Sequence, residues 1–259
     1  MNETLQMSEQ TTPEFDGYAS SYDTLLDDPM RGAFARDPLH FHRRKWLLIQ
    51  RLLSKAGVEP SSLRWLDAGC GRGELLNLAG AHFKQATGCD PSAGMLSSCS
   101  SFTVDRQTSP FELPFPDASV DLVTAVCVYH HVPEKARALL LSEMKRVLAP
   151  GGLCCIIEHN PWNPVTQAIV RRCPVDADAS LLTASSASGL LRVVGFEPLS
   201  SAYFLYLPES LFNRLSLLER FLGRVPLGGQ YAVLARRAGD SSYSDGMRRT
   251  RVISGKQCH

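Results

Sequence analysis

Short apolar runs alternate with segments of helical periodicity along the middle of the chain. Residues 63–67 read as a strand, 74–83 as a helix and 86–90 as a second strand. Residues 91–98 read as a short helix opened by Pro91, because proline is tolerated at the first helical position. A weak strand follows at 102–104. Residues 120–128 form a strongly apolar strand, 134–148 a helix that stops before Pro150-Gly151-Gly152, and 153–158 another buried strand. After a loop come a helix at 183–194, an extended run at 196–207, a helix at 209–222 and a last strand at 230–236. Upstream, residues 15–53 are helical in pattern, with breaks near Asp27-Asp28-Pro29 and Asp37-Pro38. Trp46, Leu47, Ile49, Leu52 and Leu53 mark 40–53 as a packed helix. This alternation predicts an α/β fold, a mostly parallel sheet with helices on both faces.

The two ends differ from this pattern. Residues 1–12 and the Ser-, Asp- and Arg-rich stretch 239–259 are polar and are expected to be disordered. That leaves 13–238 as one domain, with a helical lid over about 13–55 and a helical insertion at about 208–224. An apolar fraction of 44% supports a sizeable core, and a net charge of +1 provides no bulk field for nucleic acid or membrane. The start lacks a basic segment followed by an apolar one, and no apolar run approaches the roughly 20 residues of a membrane span. A cytoplasmic location is the expectation. The 8 cysteines show no CxxC pair and no metal-like spacing with histidine, so they read as small reduced core residues and no metal is expected.

The chemistry concentrates on Gly69-Cys70-Gly71-Arg72-Gly73, a glycine loop between the first strand and its helix. Glycines permit a tight turn and close approach of a ligand. The loop sits at the carboxyl end of a strand, where open α/β sheets bind ligands. Asp90, 19 residues after Gly71, ends the second strand where an acid accepts hydrogen bonds from ribose hydroxyls. A dinucleotide fingerprint would require Gly or Ala at position 74. Glu74 stands there, and its charge at a helix start opposes a pyrophosphate.

Leu66-Asp67-Ala68-Gly69-Cys70-Gly71-Arg72-Gly73 resembles the first motif of class I S-adenosylmethionine-dependent methyltransferases. Gly88-Cys89-Asp90-Pro91-Ser92 resembles their ribose-binding segment. Leu113 to Val123 (Leu-Pro-Phe-Pro-Asp-Ala-Ser-Val-Asp-Leu-Val) resembles the approach to their fourth strand, and Leu148-Ala149-Pro150-Gly151-Gly152 the turn before their fifth. Phe15 to Asp23 looks like the N-terminal signature of small-molecule and quinone-biosynthesis members of the type 11 group. The resemblance implies a Rossmann-like seven-stranded sheet with an antiparallel last strand, and S-adenosylmethionine as cofactor. It implies a cofactor site of Asp67, Gly69, Cys70, Gly71, Gly73, Asp90, Pro91, Met95 and Cys127, with Tyr22 as a cover. One of Arg43 and Arg44 could grip the cofactor carboxylate bidentately, and Arg44 is the choice. The family's usual adenine contacts fall at Ser109 and Pro110, and proline has no N–H to donate. Adenine recognition is therefore expected to use the Phe111 backbone or Asp105.

Methyl transfer needs a base only if the acceptor must lose a proton. His130 and His131 follow the fourth strand, and Glu158-His159-Asn160 ends the fifth, all on the cofactor side. His159 is the leading candidate for a base, with His131 and His130 behind it. Asp176 and Asp178 are within reach of the same pocket or simply solvated. Pro161-Trp162-Asn163-Pro164 suggests an aromatic wall for the substrate. Leu211, Leu215, Leu218 and Leu222 form a stripe at helical spacing that suits a core or a lid, with a dimer face or a lipid contact as alternatives. The expected acceptor is a small apolar or aromatic molecule, not nucleic acid. Peripheral membrane contact stays open, as does the choice between monomer and homodimer. The competing readings are a silent S-adenosylmethionine-binding protein, an NAD(P) oxidoreductase and an RNA methyltransferase.

Overall fold

The computed structural model describes residues 14–239. The expectations for residues 1–12 and for the tail from 240 onward lie outside the described residues. Seven strands form one sheet: β1 (Arg64–Ala68), β2 (Gln85–Asp90), β3 (Thr103–Arg106), β4 (Val120–Val126), β5 (Leu148–His159), β6 (Phe196–Phe204) and β7 (Gln230–Arg237). Their spatial order is β3-β2-β1-β4-β5-β7-β6, and β7 alone runs antiparallel to its neighbours. The order reverses between β1 and β4, so a crevice opens above their carboxyl ends.

Side chains alternate between the two faces. Leu66, Val123, Ile156 and Val233 pack on one face, against Leu140, Leu141 and Met144 of α7 (Arg137–Val147) and Ala187 and Leu191 of α9 (Ala184–Val194). Trp65, Leu122, Ile157 and Leu234 pack on the other. They meet Ile49, Leu52 and Leu53 of α4 (Leu39–Lys55) and Leu75, Leu76 and Ala79 of α5 (Glu74–Ala79). Among the described cysteines all are free thiols, and Cys89, Cys154 and Cys155 are core residues.

The remaining helices frame the crevice. α1 (Glu14–Tyr18), α2 (Tyr22–Leu25) and α3 (Pro29–Phe34) precede α4; α6 (Ala93–Leu96) follows β2; α8 (Pro164–Arg172) follows β5; α10 (Glu209–Leu222) joins β6 to β7. Three carboxylates tie the first three helices down. Asp16 accepts from Ser92 Oγ and from Gly94 N–H (2.9 Å), and Asp23 grips Arg72 bidentately at 3.0 and 2.7 Å. Asp28 caps α3 and pairs with Arg172 of α8.

Several sequence expectations need correction. Pro91 does not open α6: Ser92 is its N-cap, its hydroxyl accepting from Met95 N–H. β4 ends two residues before 128, because Cys127 turns the chain at φ +58°. Pro161-Trp162-Asn163-Pro164 is no aromatic wall. Asn163 caps α8 with Pro164 at its first position, and Trp162 is 64% exposed and does not line the crevice. The leucine stripe of α10 is not core: Leu211 is 43%, Leu215 42% and Leu218 48% exposed, and the residue this helix buries is Glu219.

Candidate active site

A cleft of about 1990 Å³ opens over the carboxyl ends of β1, β2, β4 and β5. Drug-sized ligands fill roughly 300–1,000 Å³, so two molecules have room side by side. The glycine loop forms one wall. Gly69 takes φ +75°, and a Cβ there would stand 2.5 Å from Val128. Gly71 takes φ +55° and lines the cleft, and a Cβ on it would meet no protein atom within 4 Å. The loop therefore leaves a cradle that a side chain would fill. Asp90 closes the turn: Gly71 N–H donates to Oδ2 and Ser92 N–H to Oδ1, each at 2.9 Å. Burial raises the pKa of this carboxyl, against those two hydrogen bonds.

Below the loop, the indole N–H of Trp65 donates to the Thr124 hydroxyl (2.9 Å), which donates to Asp67 (2.5 Å). Burial pushes the Asp67 pKa up to about 7, while the Thr124 hydrogen bond opposes it. Its folded pKa thus exceeds the unfolded value of about 3.9. The stability tied to its proton is full below the unfolded pKa and is lost as pH rises through about 7. Asp67→Asn cannot ionise, so its Tm relative to wild type should rise between about pH 5 and about pH 8. Parallel Tm curves for the two proteins would contradict this.

His130, His131 and His159 all line the cleft. His130 is held from two sides, Nδ1 against Glu158 Oε2 at 2.6 Å and Nε2 against Asp176 Oδ1 at 3.4 Å. Burial works to lower its pKa, but the Glu158 charge and hydrogen bonds to Asp176 and Glu158 override this and push it up to about 10. His131 approaches the same Asp176 oxygen at 3.5 Å, and Phe15 of α1 meets its ring edge-on at 4.9 Å. His159 Nδ1 lies 3.4 Å from Gln230 Nε2. Burial first, then the neighbouring His130 charge, pushes both His131 and His159 down to about 4. Glu158 also accepts the N–H groups of Val128 (2.9 Å) and Tyr129 (2.6 Å).

Of the residues expected at the cofactor, Asp67, Gly69, Cys70, Gly71, Asp90, Pro91, Met95, Cys127 and Tyr22 line the cleft. Gly73 and Arg44 do not. Gly73 starts α5 at φ +74°, and a side chain there would run into Cys99, so it is a packing glycine. Arg44 turns away to a buried ion pair with Glu219 of α10, its guanidinium 3.4 Å from the centre of the Phe212 ring. His42, two residues before Arg44, and Lys45, the residue after it, line the cleft instead. The i, i+3 spacing was the available signal, since it puts these two on one helix face. His42 Nδ1 and Gln230 Oε1 are buried without a hydrogen-bond partner in the protein, as befits a cleft that takes a polar ligand. Phe111 lines the cleft and Asp105 does not; Asp176 lines it, while Asp178 is exposed. Asn160 is structural, donating to the carbonyls of Pro226 (3.1 Å) and Gly228 (2.7 Å).

A crevice at the sheet's reversal, with a glycine cradle and an acid at the end of the next strand, defines a Rossmann-like fold, the class in which such crevices receive nucleoside-bearing cofactors. Residues 66–156 match the family model described as a methyltransferase domain. The chain is 32% identical to a demethylmenaquinone methyltransferase of Lactiplantibacillus plantarum, over 60% of this chain and 65% of that one. It is 33% identical to the 27-O-demethylrifamycin SV methyltransferase of Amycolatopsis mediterranei, over 53% and 54%. A Thermotoga maritima structure described as a SAM-dependent methyltransferase, possible histamine N-methyltransferase, superposes with a TM-score of 0.62 at 15% identity, covering 86% of this chain and 98% of that one. The chain spans about half the length of the curated relatives it matches. These matches make residues 66–156 similar to methyltransferase domains in sequence, and the chain as a whole similar to S-adenosylmethionine-dependent methyltransferases in fold. S-adenosylmethionine is the cofactor that this similarity implies, and the cradle at Gly71, the Asp90 carboxylate and the unpartnered polar atoms of the cleft fit it.

Proposed function

We propose that this chain catalyses methyl transfer from S-adenosylmethionine to a small, apolar or aromatic acceptor, by in-line displacement. The observation that carries the reading is one cleft that joins the glycine cradle and Asp90 to His159 and leaves space for a second molecule. When bound, the cofactor supplies a sulfonium methyl already activated for displacement. Asp90 and the loop around Gly71 would hold its ribose and methionine portions, with Met95 and Tyr22 closing over them. Phe34, Phe41, Val165, Ile169 and Leu205 supply an apolar wall for the acceptor. His159, kept neutral by burial, can take a proton from an acceptor hydroxyl once its Nδ1 gives up the weak contact with Gln230 Nε2 (3.4 Å). His130, held as imidazolium when only protons are present, is the poorer base. Relatives named for demethylmenaquinone and 27-O-demethylrifamycin SV are consistent with an acceptor of this kind.

The test supplies labelled S-adenosylmethionine to the protein together with a lipophilic metabolite extract and identifies methylated products by mass. His159→Ala should lower kcat about 100-fold, the lower end for general-base catalysis, because its base is weak. The cofactor's thermal stabilisation of the protein should survive that change. Binding of S-adenosylmethionine with no transfer to any acceptor would make the chain a silent binder. Stabilisation by nicotinamide cofactors alone would overturn the reading altogether.

A further inference from the structure

We propose that His130 Nε2, His131 Nε2 and Asp176 Oδ1 form a binding site for one divalent transition-metal ion of the zinc class in the wall of the cleft. The three ligand atoms lie within 4.8 Å of one another. The Asp176 oxygen stands 3.4 Å from one imidazole nitrogen and 3.5 Å from the other. Zinc–nitrogen and zinc–oxygen bonds of about 2.1 Å at tetrahedral angles separate ligand atoms by about 3.4 Å, whereas octahedral angles would bring them to about 3.0 Å. The two distances match the tetrahedral edge.

The surroundings are those of a ligand set held in place. Metal-bound histidines characteristically donate their other ring N–H to a carboxylate, which fixes the tautomer. Glu158 takes that part, 2.6 Å from His130 Nδ1, and is itself held by the N–H groups of Val128 and Tyr129. This leaves the lone pair on Nε2, facing Asp176. Asp176 sits on a 3-10 turn (Pro174–Asp176), and Ser180 N–H donates to the His130 carbonyl at 2.8 Å, so the segment bearing the acid is tied to the histidine pair. Among the described residues the ion-pair partners of Asp176 are the two imidazoles, with no lysine or arginine. With both imidazoles neutral, Glu158 and Asp176 carry two negative charges into a buried site, and a dication neutralises them. A single proton on His130 neutralises one.

Spacing along the chain could not reveal this set, because 45 residues separate His131 from Asp176. All three ligands line the cleft, so a fourth position opens onto it. An acceptor oxygen bound there would lose its proton more readily. That use of the fourth position rests on the methyl-transfer reading; metal binding does not.

The experiment titrates untagged, chelator-stripped protein with Co²⁺ and then competes with Zn²⁺. The expected result is the visible d–d absorption of a tetrahedral site, saturating at one ion per chain and displaced by Zn²⁺. Asp176→Asn and His131→Ala should each weaken Co²⁺ binding at least tenfold. S-adenosylmethionine stabilisation, measured alongside, reports that each variant is folded and tests the cofactor reading separately. Absence of the tetrahedral band in wild type would overturn the proposal. So would a folded Asp176→Asn or His131→Ala variant that binds Co²⁺ as tightly as wild type.

Discussion

Asp90→Ala is expected to weaken S-adenosylmethionine binding by about 10²–10⁴-fold while leaving the chain folded. The carboxylate has two tasks in the same place. It accepts the N–H groups of Gly71 and Ser92, which sets the curvature of the loop, and it faces the cleft where ribose hydroxyls would donate to it. A hydrogen bond to a charged group is worth about 1.5–3 kcal/mol, and a ribose offers two donors, so their loss converts to that range of affinity. Folding should survive because Asp90 lies at a strand end on the cleft wall, and the sheet pairing of β2 does not involve its side chain. Calorimetric titration of both proteins with S-adenosylmethionine measures the ratio. A change of less than about fivefold would mean that Asp90 shapes the loop without touching the ligand.

Which parts of this site were legible in the sequence follows from how local each signal is. The glycine loop and Asp90 are encoded by strand, turn and helix in immediate succession, and the pairing of β1 with β2 brings them together. The strand alternation likewise gave the sheet, since Trp65 and Leu66, or Leu122 and Val123, declare opposite faces by adjacency alone. Asn163 and Pro164 read as loop in the sequence because proline signals both a loop and a helix start. The asparagine before it, accepting from Thr166 N–H at 2.9 Å, decides for the helix.

Arg44 and the α10 stripe failed for a different reason. Glu219 accepts from Leu205 N–H at 2.9 Å and pairs with Arg44, so α10 is anchored through a buried charge and leaves much of its leucine face exposed. A hydrophobic stripe predicts burial only when apolar area outweighs such polar anchors. Nothing near Glu219 in sequence points to Arg44, 175 residues away. The His130–Glu158–Asp176 cluster was invisible on the same grounds. The sequence places His130 and Glu158 after strands and Asp176 in a later loop, but their mutual contacts arise only when β4 and β5 pair and the 174–176 turn folds back over them.

That cluster is where a single change should cost the fold most. Glu158→Ala is expected to destabilise the protein by about 3–5 kcal/mol, the range for removing one partner of a buried charge pair. Glu158 is fully buried and satisfies three donors: Val128 N–H, Tyr129 N–H and the His130 ring. Its removal strands two backbone N–H groups just past the turn at Cys127 and leaves the buried imidazole to discharge or to rely on Asp176 alone. Glu158→Gln should lose much less, because its carbonyl oxygen still accepts from the backbone and its amide can donate to a neutral His130 Nδ1. Urea unfolding at neutral pH, with the m-value unchanged, reports the difference directly. A Glu158→Ala protein within about 1 kcal/mol of wild type would show that water enters and replaces the carboxylate, and that the connection between β4 and β5 at the cleft floor does not depend on it.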